Sequence, residues 1–216
     1  MAVESDRVTD RHFEYIAERT TREDKFLKEL RRESVKAGIP AISIGFPQAS
    51  FMQILLRARG AHDVVEVGTL AGYSAIVMAR ALPPGGTVRT IELVPKHADF
   101  AEQWIAKSDV AGKIQVLRGK GADVLKTFES ESADAAFLDA DKSGYPTYLT
   151  ECLRIVRRGG VIMADNAFAF GELFEKKPKD RETPAVKKFN EIMAKEKRLQ
   201  SIMVPFGDGM WFGVKL

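Results

Sequence analysis

From Asp63 onward the sequence alternates short apolar runs rich in Val and Ile with longer amphipathic stretches, and this alternation restricts the chain more than any other feature. Such an alternation predicts βαβ units, a parallel sheet and helices on both of its faces. "DVVEVGT" (63–69), "TVRTIEL" (87–93), "KIQVLRG" (113–119), "AAFLDA" (135–140) and "GVIMADN" (160–166) read as strands. Between them the spacing predicts helices over 72–82, ended by Pro83, Pro84, Gly85 and Gly86, then from Pro95, over "ADVLKTFE" and over 145–158. Near the far end come an amphipathic helix, "TPAVKKFNEIMAKEKR", and two strands, "LQSIMVP" and "GMWFGVKL", separated only by "FGD". So short a link permits a hairpin and forbids a parallel crossover, and the last strand is expected to run antiparallel in an otherwise parallel sheet. Residues 9–59 read as helices closed by Gly38 and Gly60, expected to pack on the sheet as a cap.

A chain of 216 residues with 45% hydrophobic content can bury one sizeable core and is short for two. One domain over 1–216 is expected, with a helical cap over 1–60 and an α/β core over 61–216. The net charge of +3 is the small difference between 33 basic and 30 acidic residues, a poor footprint for nucleic acid. Cys152 is the one cysteine, which excludes an intramolecular disulfide and a Cys-based zinc cluster. The first thirty residues are crowded with charge, and no apolar stretch is long enough to span a bilayer. A soluble, cytoplasmic protein with no membrane partner is the expectation.

The first strand runs into "EVGTLAGYS", where Gly68 and Gly72 allow a tight strand-to-helix turn and close approach of a ligand to the main chain. The dinucleotide spacing of glycines is missing, and Glu66 is read as an acid inside the turn, where it would repel a pyrophosphate. A cationic or zwitterionic nucleoside fits better, with S-adenosylmethionine the leading candidate. Glu92 ends the second strand, where open α/β proteins place the carboxylate that takes a ribose diol.

"FLDADKSGY" and "IMADNAF" both begin as strands and end in Asp. In a parallel sheet, ligands bind beyond the carboxyl ends of the strands. If these two strands are neighbours, Asp139 and Asp165 come within reach of each other, with the Asn166 amide alongside. Two carboxylates and an amide oxygen, with neither Cys nor His, make a hard donor set suited to Mg²⁺, Mn²⁺ or Ca²⁺. Taken singly the residues have duller readings: Asp141 as a helix cap, Asp165 and Asn166 as turn formers, Lys142 as a solvated lysine.

The segments "VVEVGTLAGYSAIVMARAL", "TIEL", "FLDADKSGYPTYL", "RRGGVIMADNAF" and "PFGDGMWFGVK" together resemble the cation-dependent O-methyltransferases of the caffeoyl-coenzyme A and catechol type. The resemblance runs from about Pro47 to Leu216. It implies a Rossmann-like methyltransferase fold with a seven-stranded sheet, a small aromatic diol as acceptor, and a homodimer. By it, Asp139, Asp165 and Asn166 hold the divalent cation and Lys142 is the candidate general base. Glu92 takes the ribose, Glu66, Gly68, Gly72 and Ser74 the methionine side, and Gly119, Lys120 and Gly121 lie near the adenine. Thr69, Ala140 and Asp141, with Asp139, complete the cofactor-binding set. After "DN" the plant members carry a Trp; here the segment reads "AFAFGELF", and Phe168 and Phe170 become candidates to stack on an aromatic acceptor. Lys176, Lys177 and Lys179 stand as candidates for an anionic tail or as a solvated loop. An NAD-dependent oxidoreductase, a non-catalytic nucleoside-binding protein and an RNA methyltransferase are the competing readings.

Overall fold

The computed structural model describes residues 9–205 and 207–216, and in it the alternation becomes a seven-stranded sheet between two helical layers. The strands are β1 (Asp63–Val67), β2 (Thr87–Glu92), β3 (Ile114–Arg118), β4 (Ala133–Leu138), β5 (Val156–Ala164), β6 (Leu199–Val204) and β7 (Met210–Lys215). They lie in the order β3-β2-β1-β4-β5-β7-β6. The first five pair in parallel, and β7 pairs antiparallel with both β5 and β6, as the short hairpin link requires. The period of two in each strand sorts side chains to opposite faces. Val64, Phe137 and Met163 join the core under α3 (Phe46–Arg59), α4 (Tyr73–Ala79) and α5 (Pro95–Ala106). Val65, Leu138 and Ile162 join the core under α6 (Gly121–Leu125), α7 (Tyr145–Ile155) and α8 (Thr183–Lys195). No helix among the described residues is long and apolar enough to cross a membrane.

The N-terminal helices only partly form the expected cap. α2 (Lys25–Lys36) starts where the Asp24 carboxylate accepts the Leu27 N–H at 2.8 Å, and it buries Leu27 and Leu30 in the first core. Gly38 and Gly60, at φ 72° and 65°, end α2 and α3 in the left-handed region. α1 (Asp10–Arg19) does not pack on the sheet: residues 11–19 are exposed along its whole length. The part of the cap expected over residues 1–8 lies outside the described residues, as does Phe206 in the hairpin link.

Three readings are corrected. The helix expected over 145–158 stops at Ile155, because Val156 turns extended and pairs with Ala133; the amphipathic pattern continues past the boundary, but strand pairing overrides it. The strand expected over 160–166 therefore runs Val156–Ala164 and leaves Asp165 and Asn166 beyond its tip. Glu66 is not in the glycine turn. It sits within β1, paired on both sides and fully buried. Burial, the dominant cause, pushes its carboxyl up to about 8, although the hydroxyls of Ser74 and Thr90 act the other way. Thr90 Oγ1 donates to Glu66 Oε2 at 2.5 Å and is itself 2.6 Å from the Thr69 hydroxyl.

Gly68 has φ 106°, and a Cβ built on it would lie 2.0 Å from the carbonyl oxygen of Asp139. Gly68→Ala is therefore expected to cost about 2–4 kcal/mol in urea denaturation, from the left-handed backbone and the clash together. Gly112→Ala, where nothing lies within 4 Å, serves as control and should stay within about 0.5 kcal/mol. Equal midpoints for the two variants would show that the turn yields freely. Because the folded Glu66 carboxyl titrates above its unfolded value, its contribution is complete below about 4.5 and is lost as pH rises through about 8. Glu66→Gln should flatten the fall in melting temperature of the ligand-free protein between pH 6 and 8; an unchanged slope would assign that fall to other groups.

Candidate active site

The strand order reverses at β1: the chain goes to β2 on one side and to β4 on the other. Carboxyl-end loops diverge at such a switch point and leave a crevice. A cavity of about 850 Å³ occupies it, within the range of small-molecule sites. Gly68, Thr69 and Leu70 of the β1–α4 turn form one wall, together with Ser74. Glu92 lies at the tip of β2, 7% exposed, with Oε2 accepting the Leu70 N–H and Oε1 the Val94 N–H, each at 2.8 Å. Two backbone donors hold that carboxylate at the wall in one orientation. The next wall is Gly119, Lys120 and Gly121, where Gly121 is required by packing: a Cβ there would lie 2.7 Å from Val67 and 2.9 Å from the Tyr148 ring. Asp141 does not cap the following turn through its side chain; it accepts from the Tyr148 hydroxyl at 2.5 Å.

The tips of β4 and β5 carry the polar cluster. Leu138 and Ala164 are register partners, so Asp139 and Asp165 come next to each other one residue beyond. Lys142, 4% exposed, places Nζ 3.2 Å from Asp139 Oδ1 and 2.7 Å from the Tyr145 hydroxyl. Burial first, then the carboxylates around it, Asp139 foremost, push the Tyr145 phenol well above its ordinary value. Tyr145 thus keeps its proton, donating it to the Leu138 carbonyl at 3.0 Å while accepting from Lys142. Asp165 is 7% exposed, and its carboxyl is pushed up to about 7 by burial and then by the Asp139 charge. Gln48, at the start of α3, donates Nε2 to Asp165 Oδ1 at 2.6 Å. Asn166 takes the left-handed conformation, φ 63°, which Asn tolerates better than most residues.

Of the residues singled out from sequence, Gly68, Thr69, Ser74, Glu92, Gly119, Lys120, Gly121, Asp139, Ala140, Asp141, Lys142 and Asn166 line the cavity. Glu66, Gly72 and Asp165 do not. Glu66 lies beneath the turn in β1, Gly72 packs on Ala101 and Ile105 of α5, and Asp165 is buried against Gln48. Phe170 lines the cavity, whereas Phe168 packs on Gly209. Lys176, Lys177 and Lys179 belong to the loop before α8 and are absent from the lining. Sequence reasoning missed Gln48, Asp208, Glu182 and the segment Ile42–Ile44, all brought in from outside the strand tips. Among the described residues no three His, Cys, Asp or Glu side chains are grouped so as to hold a metal ion by themselves. The candidate cation donors are two carboxylates and an amide oxygen, a set that fits a hard cation.

A family model described as O-methyltransferase matches residues 17–216. Catechol O-methyltransferase of Niastella koreensis is 35% identical over 204 residues, covering 91% of this chain and 92% of that protein. The solved O-methyltransferase of Bacillus cereus in complex with SAH superposes with a TM-score of 0.84 at 31% identity, covering 94% of this chain and 96% of that one. TomG, an O-methyltransferase of Streptomyces achromogenes solved in complex with SAM, gives a TM-score of 0.82 at 29% identity over 93% of this chain and 94% of its own. With a family match that takes in the whole sheet and every wall of the cavity, the chain belongs to the O-methyltransferase family.

Proposed function

We propose that this O-methyltransferase transfers the methyl group of S-adenosylmethionine to one hydroxyl of a small catechol-like acceptor held at a divalent cation, Mg²⁺ first among the candidates. The observation that supports this reading is the juxtaposition of Asp139, Lys142 and Asn166 in the lining of one cavity, with Asp165 buried next to Asp139 and the Gly68 turn and Glu92 lining the same space. Asp139, Asp165 and Asn166 are the residues that would hold the cation. When bound, S-adenosylmethionine supplies an electrophilic methyl and the cation lowers the pKa of a chelated hydroxyl.

The chain's own residues have separate tasks. Glu92, fixed by two backbone N–H groups, presents its carboxylate edge to a ribose diol. Gly68 and Leu70 bring main chain to the cavity wall with no side chain in the way of a ligand at Gly68. Lys142 Nζ is the group placed to receive a hydroxyl proton, since a phenol of pKa near 10 is a poor nucleophile at neutral pH. Tyr145, kept protonated by burial, accepts a hydrogen bond from Lys142 Nζ and fixes its position. Phe170 and Ile42, both partly exposed at the cavity, offer apolar surface to an aromatic ring. The contribution of the protein is chiefly orientation and electrostatics. A homodimer in the cytoplasm belongs to the same proposal; the exposed Phe13 and Ile16 of α1 are surface that a second subunit would cover.

Methyl gain on 3,4-dihydroxybenzoate or caffeate, read by mass spectrometry with Mg²⁺ and with EDTA, tests the reading. Transfer is expected only with metal. Lys142→Ala should lower kcat by roughly 100- to 10,000-fold while S-adenosylmethionine affinity by calorimetry stays within about twofold. Metal-independent transfer to every vicinal diol tried, or equal loss of turnover and cofactor affinity in Lys142→Ala, would sink the mechanism.

A further inference from the structure

Asp208 lies in the link between β6 and β7, far in sequence from the strand tips, yet its carboxylate is spent on a single loop of the cavity. Oδ2 accepts from Asn166 Nδ2 at 3.2 Å and from the Phe170 N–H at 2.7 Å, and Oδ1 accepts from the Gly171 N–H at 3.1 Å. The main chain on either side adds two bonds, Phe168 N–H to the Asp208 carbonyl at 2.7 Å and Ala167 N–H to the Gly209 carbonyl at 2.9 Å. Gly209 has no room for a side chain, since a Cβ would lie 2.8 Å from the Phe168 ring. The loop needs this support. Asn166, Ala169 and Phe170 are all left-handed, at φ 63°, 56° and 59°, and such residues persist only where surrounding bonds over-determine them.

The direction of the Asn166 bond carries the inference. An ionised carboxylate only accepts, so the Asn166 amide must turn its NH₂ toward Asp208 and its oxygen away. Asn166 also lines the cavity. We infer that Asp208 is a positioning residue that orients the Asn166 amide so that the oxygen, and not the nitrogen, is offered to a cation. This rests on the reading of Asn166 as a cation donor. An amide presenting NH₂ at that place would set hydrogen-bond donors against a positive charge. Outer groups of this kind commonly tune cation affinity without touching the ion.

Asp208→Asn weakens the constraint, because the introduced amide can offer its oxygen either to Asn166 and the Phe170 N–H or to the Gly171 N–H, and in the second orientation its NH₂ faces an Asn166 amide turned the other way. Asn166→Asp combined with Asp208→Asn restores it: the introduced amide at 208 donates to one oxygen of the introduced carboxylate at 166, and the other oxygen is left for the cation. Mn²⁺ binding to the full-length protein, titrated by electron paramagnetic resonance, reads the effect, with SAH affinity and melting temperature followed in parallel. Asp208→Asn is expected to weaken Mn²⁺ binding roughly 10- to 100-fold with SAH affinity within about twofold, and the double variant to regain most of the loss. Both variants carry the same residue at 208, so any loss of loop support is common to them; the double variant also adds a carboxylate at 166, and Asn166→Asp alone, titrated in the same way, reads that charge, so that recovery counts only where the double variant binds Mn²⁺ more tightly than Asn166→Asp does. Wild-type Mn²⁺ affinity in Asp208→Asn, or no recovery in the double variant, overturns the positioning role. A wild-type protein that binds no Mn²⁺ overturns the cation reading itself, and the inference with it.

Discussion

The site depends on one contact between two pieces of main chain: Gly68, at the end of β1, lies flat against the carbonyl of Asp139, at the end of β4. Two bonds lock the approach, Asp139 N–H to the Val67 carbonyl at 2.9 Å and Gly68 N–H to the Ile91 carbonyl at 3.0 Å. The Gly68 turn and Asp139 both line the cavity, so this contact sets the spacing between the two halves of the proposed reaction. Any Cβ at 68 would push them apart, and misplacement of an ångström is costly when catalysis rests on orientation. The topology supplies the rest, since only where the strand order reverses do neighbouring tips leave room for a ligand beside so close an approach.

Around that contact the protein concentrates acids. Glu66, Glu92, Asp139, Asp141 and Asp165 all lie at or beneath one cavity, with Lys142 bonded to Asp139. Two of these carboxyls, Glu66 and Asp165, are driven upward mainly by burial, and in both the Asp139 charge adds to the shift. Such crowding raises the energy of the ligand-free state and gives positively charged ligands more to relieve. It also explains why a hydroxyl and an amide stand behind two of the acids: Thr90 behind Glu66 and Gln48 behind Asp165 are donors that a buried carboxyl group requires.

What could be read from the sequence followed from local chemistry. The five parallel strands, the hairpin return and the strand-tip placement of Asp139 and Asp165 all came from period and punctuation, because each depends on residues within a few positions. The end of α7 was misread because "CLRIVRR" continues the helical spacing while Val156 is claimed by Ala133, a partner more than twenty positions away. Glu66 was misread for a related reason: an acid within an apolar strand looks like an interruption, and only the third dimension shows Thr90 and Ser74 beside it. Gln48, Asp208 and Glu182 carry no local mark at all. A glutamine after a proline, an aspartate between glycines and a glutamate before a helix have ordinary turn and helix-start readings, and their site contacts span 117, 42 and 40 positions.

β7 follows every other strand in the chain and yet occupies an interior place in the sheet, between β5 and β6. It pairs with β5 on one side and β6 on the other. The β6–β7 hairpin is a local structure that can form on its own, whereas its docking against β5 closes a connection across the α8 region and is the slower kind of event. Since the bonds from Asp208 to the 166–171 loop exist only once that hairpin is docked, the sheet can be nearly complete while the loop is still unshaped. The shape of the site thus depends on the docked hairpin, and a locally opened hairpin would silence the enzyme while leaving most of its core intact.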